Sequence, residues 1–437
     1  MEKNKGKIIV VECLSSSASY IGDIRRMGYE PVLMELPVAD SQRDDMRRIH
    51  DYYYTLNGDE IPQIVTGGDT YEKTLQIAKE LHPAFILPGS DDGLIAATRL
   101  AHDLGLPGNA PSRLDVMRKK DVQQEALRKA GLRSIRGRIV SSVDEALDFL
   151  RETKNGKVVI KPEMGGASNG VRICKNKEEI VQALQYNDEM IRNDPGRFLR
   201  VLIQEYIEGE EYTVDAVFCG AEPYETMITK YTKKLVNDTE KIYDTAQFMD
   251  LHDPELKELR EYAMGVNRAL GLTHGVTHNE YMIDEKGPVL IEANCRPYGA
   301  MVKSSYLDKV LGFHETLLSL RSYIEPEKLA AEIGSLPVLQ AMGMIKVLII
   351  YEDIYVKNVL FEETAKGFKT CQYYMDAGND RLYGKTIDLS TCGGIFYLAG
   401  KPEDVEADVN LLRRIERDHP EKLFEMTGIP AAKSLDE

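Results

Sequence analysis

Residues 278–299, HNEYMIDEKGPVLIEANCRPYG, constrain the fold more than any other stretch of the chain. Apolar residues alternate on either side of Asp284-Glu285-Lys286-Gly287, which predicts two antiparallel strands joined by a turn. A turn centred on Lys286 sets Glu280 opposite Glu292 and His278 opposite Asn294. Period-two alternation then gathers Glu280, Glu292 and Asn294 on one face, with Tyr281, Ile283, Val289 and Ile291 on the other. Two carboxylates facing each other across a ladder repel. A divalent cation removes the conflict, and an all-oxygen set of two Glu and one Asn suits Mg²⁺ or Mn²⁺ better than zinc. Arg296, two residues beyond Asn294, adds the fixed positive charge that a phosphoryl or acyl-phosphate group needs. The competing reading is a solvated hairpin face carrying scattered charges.

The 437 residues allow two or three domains. A formal net charge of -16 argues against non-specific nucleic-acid binding and against attraction to anionic membranes. Any phosphate-bearing ligand must therefore be held by local Lys and Arg against the average field. Six cysteines, at 13, 174, 219, 295, 371 and 392, form no CxxC pair, which favours a reducing, cytoplasmic setting over a disulfide framework or zinc site. The charged stretch Met1 to Lys7 runs straight into an apolar strand, so neither a signal peptide nor a membrane span is expected.

The chain opens with KIIVVE, a buried parallel strand by its continuous apolar run. Ser15-Ser16-Ser17, a helix to Met27, Gly28 and the strand PVLMEL complete a βαβ start, with serines where a dinucleotide fold carries GxGxxG. That turn reads as a plain turn and helix cap, or as an anion site. FILPGSDDGLIAATRLAHDLGLPGN repeats strand, polar turn and helix, with Asp91 and Asp92 expected merely to offset the helix dipole. A helix over 112–130 carries Lys119 and Lys120 and stops at Gly131. Next come a strand at 138–140, a helix at 143–151 and the strand KVVIKP ending at Lys161. MGGASNG is a Gly-rich hairpin loop leading into VRIC, able to bring backbone N–H groups close to phosphate oxygens, though no GK[ST] follows.

Beyond a helix at 177–191, VLIQEYIEGEEYTVDAVF reads as two strands and a crossing segment. Glu205 to Ile207 could offer backbone groups to a purine edge, and Glu211 could accept from ribose hydroxyls. Residues 224–250, with Lys230, Lys233 and Lys234, show little apolar periodicity and predict a partly mobile loop. A helix over 254–270 closes at Gly271, and another runs through the 310s. The remainder mixes short strands (MIKVLII, GGIFYLAG) with a final helix over 402–418, a lid or packing subdomain.

In this order, PGSDDG…GLPGN, Lys120 before AGL, KPEMGGASNGV, EYIEGEEYTVD and NEYMID…IEANCRP resemble the ATP-grasp superfamily of carboxylate–amine ligases. The match runs from about residue 85 to 300 and, more loosely, over the whole chain; its C-terminal region is most similar to the L-amino-acid ligases that make dipeptides. The resemblance implies an α/β ATP-grasp fold with an N-terminal Rossmann-like domain (1–110), a linker helix and lid (111–206), a core with the metal site (207–320) and a C-terminal α+β subdomain (321–437). It implies phosphate contacts from Lys120 and Lys161, and closure of Gly165, Gly166, Ala167 and Ser168 over the triphosphate. Glu205, Tyr206 and Ile207 would flank adenine, and Glu211 would hold ribose. Glu280, Glu292 and Asn294 would bind Mg²⁺ (or Mn²⁺), and Arg296 would face the transferred phosphoryl and the substrate carboxylate. In one place the chain departs from the pattern: Pro297-Tyr298-Gly299-Ala300 follows Arg296 where relatives carry glycines, so Tyr298 would reshape the acceptor side.

The implied activity is an ATP-dependent ligation of small-molecule carboxylate and amine substrates through an acyl phosphate, releasing ADP and phosphate. Two alternatives are a peptide-tailoring or purine-pathway-like ligase, and a nucleotide-binding regulatory protein with an inactive site. The resemblance leaves a homodimer open, and His252, His274 and His278 could help bind substrate or be structural alone.

Overall fold

The computed structural model describes residues 5–38, 43–165, 169–193, 200–236, 242–333, 337–376 and 378–427. The chain divides into two compact units, one of residues 1–227, 251–308 and 313–337, the other of residues 228–250, 309–312 and 338–437.

The first unit begins with a parallel sheet in the order Gln63–Thr66, Glu30–Glu35, Lys7–Val11, Pro83–Pro88. Ile8 and Val10 pack on one side of the sheet and Ile9 and Val11 on the other, so both faces of the central strand are covered and its apolar run is unbroken. The chain winds outward from Lys7–Val11 on one side and returns on the other, making the carboxyl ends of Lys7–Val11 and Pro83–Pro88 a topological switch point. The turn after Pro83–Pro88 hugs the central strand: a Cβ on Gly93 would sit 2.1 Å from the Val11 carbonyl oxygen.

The helix expected over 112–130 is broken. Leu114–Arg118 ends at Lys119, which is extended (φ −101°, ψ 117°), and Lys120–Lys129 starts afresh. The new helix lies against the edge of Gly287–Asn294. The buried Gln123 amide trades hydrogen bonds with both backbone groups of Ala293 (2.9 and 3.0 Å), and Gln124 Nε2 donates to Leu290 O at 2.9 Å. Two glutamines thus satisfy an exposed strand edge as a further strand would. A separate antiparallel sheet, Gly137–Val140, Val201–Glu205, Val158–Pro162 and Arg172–Cys174, is covered by Val143–Glu152 and Lys177–Asn193.

In the same unit Gly287–Asn294, Val276–Asp284 and Glu210–Cys219 form an antiparallel array. Asp284 pairs with Gly287, so the turn holds only Glu285 and Lys286, and on that spacing alone Glu280 would face Ile291. The register shifts between Glu280 and Tyr281: Ile291 is an extra residue, and beyond it Glu280 faces Glu292 and His278 faces Asn294. The expected pairing of the acids holds, but the uniform alternation does not. Val289 lies opposite Met282 and Leu290 opposite Tyr281, so Val289 is not on the face of Tyr281.

In the second unit, where most of 224–250 lies, the expectation of a partly mobile loop is overturned over the described residues, while 237–241 lie outside them. Glu222–Lys234, which crosses from one unit into the other, and Ile242–Met249 are paired antiparallel strands. Their polar residues carry no period-two apolar signal because the ladder itself and cross-strand pairs such as Tyr231 with Tyr243 hold them. The order continues through Met342–Leu348, Gly394–Gly400 and Cys371–Asp376, with the helix Pro402–Asp418 packed on Met342–Leu348 and Gly394–Gly400. A three-stranded sheet, Arg381–Tyr383, Ile354–Val359 and Phe424–Thr427, completes the unit. Among the described residues no helix is long and apolar enough to cross a membrane.

Candidate active site

The register fixes which side chains share a face. Thr213, Glu280 and Glu292 lie in one cross-strand row, and Asp215, His278 and Asn294 in the next. Glu211 precedes Thr213 by two residues and so projects from the same face, on the strand beside the two acids.

Lys120 reaches this face because its helix runs along the strand edge. Its Nζ lies 2.8 Å from Glu292 and donates to Gly165 O at 3.1 Å, while its backbone N–H donates to Glu163 O. The break at Lys119 makes both possible, since it frees that N–H from the preceding turn and points the side chain inward. Lys161, on Val158–Pro162, is buried and makes no ion pair among the described residues. Burial first, and then the neighbouring Lys120, push its ammonium down to about 8, with Glu292 and Glu280 pulling the other way. The Glu292 carboxyl is held low by Lys120 and Lys161 against the cost of its burial.

Arg296 donates to Asp91 at 2.7 Å, and Arg118 pairs with the same carboxylate at 3.1 Å. Asp91 therefore does more than offset a helix dipole, as the sequence had suggested: it stands at the switch point and aims the guanidinium. His278 is buried with Nδ1 2.8 Å from Asp215, and burial together with Arg296 lowers its pKa to about 3, so the ring is neutral. Burial, and then the charge of Asp215, raise Glu315 well above the carboxylate range, and its Oε2 accepts from Tyr298 N at 2.6 Å. The Tyr298 ring is buried and meets His278 edge-on at 4.6 Å between centroids.

The structure thus gathers Lys120, Lys161, Gly165, Glu280, Glu292, Asn294 and Arg296, with Glu211 on the same face. The Glu205 side chain accepts from Arg136 N at 2.9 Å, and its backbone N–H donates to Arg136 O. The Tyr206 ring lies 5.2 Å from the Lys157 ammonium, and its carbonyl accepts from Asn155. Ile207 keeps its backbone groups unpaired among the described residues. Gly166, Ala167 and Ser168 lie outside the described residues. Sequence reasoning missed Asp91 as a partner of Arg296, and with it Arg118, Asp215 and Glu315; the available signal was PGSDD at the carboxyl end of a parallel strand.

For a cation, the described residues hold no group of three or more His, Cys, Asp or Glu. The site offers two facing carboxylates and one amide whose Nδ2, at Asn294, is buried with no partner. Three oxygen donors with room left for phosphate oxygens and water fit magnesium, which seldom has an all-protein cage.

A face of acids beside buried lysines, under a separate antiparallel sheet, defines a nucleotide-dependent phosphoryl-transfer enzyme of α/β architecture. The sequence model described as "ATP-grasp domain" matches residues 155–305. Dapdiamide A synthase of Enterobacter agglomerans is 26% identical over 345 residues, covering 75% of this chain and 76% of its own. Phosphoribosylamine–glycine ligase of Methanopyrus kandleri is 27% identical over 278 residues, 56% of this chain and 60% of its own. The crystal structure of an L-amino acid ligase from Bacillus licheniformis superposes with a TM-score of 0.71 at 15% identity, covering 94% of this chain and 98% of that one, a likeness of fold. An ATP-grasp domain thus accounts for residues 155–305, and these likenesses together support an ATP-dependent carboxylate–amine ligase that forms C–N bonds.

Proposed function

We propose that the enzyme joins two amino acids, or an acid and an amino acid, in two steps. A substrate carboxylate oxygen attacks the γ-phosphorus of ATP, breaking its bond to the β-bridging oxygen and giving an acyl phosphate and ADP. The amine nitrogen then attacks the acyl carbon, phosphate leaves, and an amide remains. Such chemistry demands positioning and charge neutralisation rather than a covalent protein intermediate.

The observation that carries this reading is the buried pair Lys120 and Lys161 beside facing Glu280 and Glu292, closed off by Arg296 on Asp91. Among the described residues Lys161 has no direct carboxylate partner, and a γ-phosphate would supply the negative charge. Lys120, now on Glu292 and Gly165 O, would be shared with the β- and γ-oxygens. Glu280, Glu292 and Asn294 would hold magnesium, which when bound draws negative charge off the phosphate oxygens. Glu205–Ile207 would border the adenine, Glu211 would accept from ribose, and the loop Gly165–Ser168 would exclude water from the acyl phosphate. Arg296 would meet the oxygens on which charge builds during transfer.

The amino-acid assignment rests on the likeness to dapdiamide A synthase and to the L-amino acid ligase fold. The match to a phosphoribosylamine–glycine ligase keeps a purine-pathway-like substrate as the second reading. Pairs of free amino acids are screened for ADP and phosphate release, with mass spectrometry of the product. Release that depends on both partners, with a dipeptide mass, is expected. A Glu292→Ala enzyme that released ADP as fast as wild type would remove the acids from the mechanism.

A further inference from the structure

The serine turn at residues 15–17 is neither a helix cap nor an open anion site. No side-chain cap bond is made at the start of Ser15–Ser19. Instead the hydroxyls grip the segment that follows Arg296. Ser16 Oγ donates to Gly299 O at 2.7 Å and accepts from Val302 N at 2.8 Å, and Ser15 Oγ accepts from Met301 N at 3.0 Å. On the upstream side, Tyr298 N is taken by Glu315. Four bonds from two distant elements thus hold four of the five residues 298–302.

The segment they fix is strained. Ala300 and Met301 have φ of 56° and 53°, and Ser15, which touches them, has φ 57°. Residues with a Cβ adopt this region rarely and singly, and such strain survives only where the surroundings over-determine it. Location supplies the reason. Ser15 and Ser16 leave the carboxyl end of Lys7–Val11 and Asp91 leaves that of Pro83–Pro88, the two strands that flank the switch point. Asp91 aims Arg296, and the Arg296 guanidinium lies beside Gly299, where a Cβ would come within 3.7 Å of Nη1. The gripped segment and the guanidinium therefore form one surface.

We propose that Ser15 and Ser16 are positioning residues for the carboxylate substrate, clasping residues 299–302 into the wall that meets it beside Arg296. The inference rests on the ligase reading above and deepens it. Neither serine touches the reacting atoms; they act through the backbone they hold. The clasp shapes the side that receives the acid to be activated, while the ATP side, built from Lys120, Lys161 and Glu292, is independent of it.

Two double variants test this: Ser15→Ala/Ser16→Ala, which cuts the clasp, and Ala300→Gly/Met301→Gly, which relieves the strain and lets the segment wander. ADP release is followed with the amino-acid pair that turns over fastest in the wild type, and melting temperature is recorded. Both variants should raise KM for the carboxylate about tenfold or more with KM for ATP unchanged. The glycine variant should melt no lower than wild type. A carboxylate KM unmoved in the glycine variant, or one that rises in step with KM for ATP, overturns the clasp, even if the alanine variant fails to fold. Wild-type ADP release indifferent to any acid or amine would instead overturn the ligase reading.

Discussion

Each of the two units buries a lysine among carboxylates, to opposite effect. In the second unit Lys346 is wholly buried, 2.7 Å from Glu416 and 3.0 Å from Asp244. Arg413 donates twice to Asp244, Lys234 lies 3.0 Å from it, and Glu416 also accepts from Ile349 N. Every charge there meets an opposite one. In the first unit Lys161 is nearly as buried yet has no direct carboxylate among the described residues, and its pKa falls to about 8. A compensated buried charge serves the fold, whereas an uncompensated one waits for a ligand and weakens the fold meanwhile.

Replacing each lysine by methionine separates the two roles. Lys346→Met leaves Asp244 and Glu416 buried without their shared cation, and should cost roughly 3–5 kcal/mol in denaturant unfolding. Lys161→Met removes a charge that burial already disfavours. Its melting temperature should hold or rise, while ADP release falls on the order of a hundredfold, about 3 kcal/mol in the barrier. Equal losses of stability in the two variants would abolish the distinction.

A third site sharpens it. His314 sits between Asp23 (2.9 Å) and Asp308 (2.7 Å), and although burial opposes it, these carboxylates raise its pKa to about 9. The folded value lies above the unfolded one, near 6.5, so the stabilisation is complete below pH 6.5 and fades as pH rises through 9. Unfolding free energy measured between pH 6 and 10 should lose up to about 3 kcal/mol. His314→Gln should flatten that slope, and an unchanged slope would place the titration elsewhere. The smallest effect is expected at Asp91→Asn. Arg296 stays charged but is aimed less firmly, for a loss of about tenfold in carboxylate-dependent ADP release with KM for ATP unaltered.

Local rules made much of this visible in the sequence. KIIVVE, the stop at Gly28, the hairpin and the helix Pro402–Asp418 all follow from periodicity and punctuation within a window of a few residues. What stayed hidden depended on distance along the chain. Asp91 and Arg296 are 205 residues apart, and Asp215 and His278 are 63 apart, so neither pair leaves a spacing to read. The break at Lys119 has no Pro or Gly to announce it. It exists because Lys120 is drawn to Glu163 and Glu292, a tertiary pull that overrides helix propensity. Ile242–Met249 likewise owes its strand state to its neighbours, and a lysine-rich, weakly periodic stretch reads as a loop until those are known.

The inserted Ile291 has one further consequence. The two-residue turn and the acidic pair are out of phase by a single position, and that isoleucine is the phase correction. Deleting one residue from 288 to 291 would remove that surplus position, and Glu292 would still meet Glu280, now in an unbulged ladder with both acids on one face. The bulge is therefore the joint between this turn and that pair, and a hairpin one residue shorter would keep the acids together while losing the local bend and extra twist.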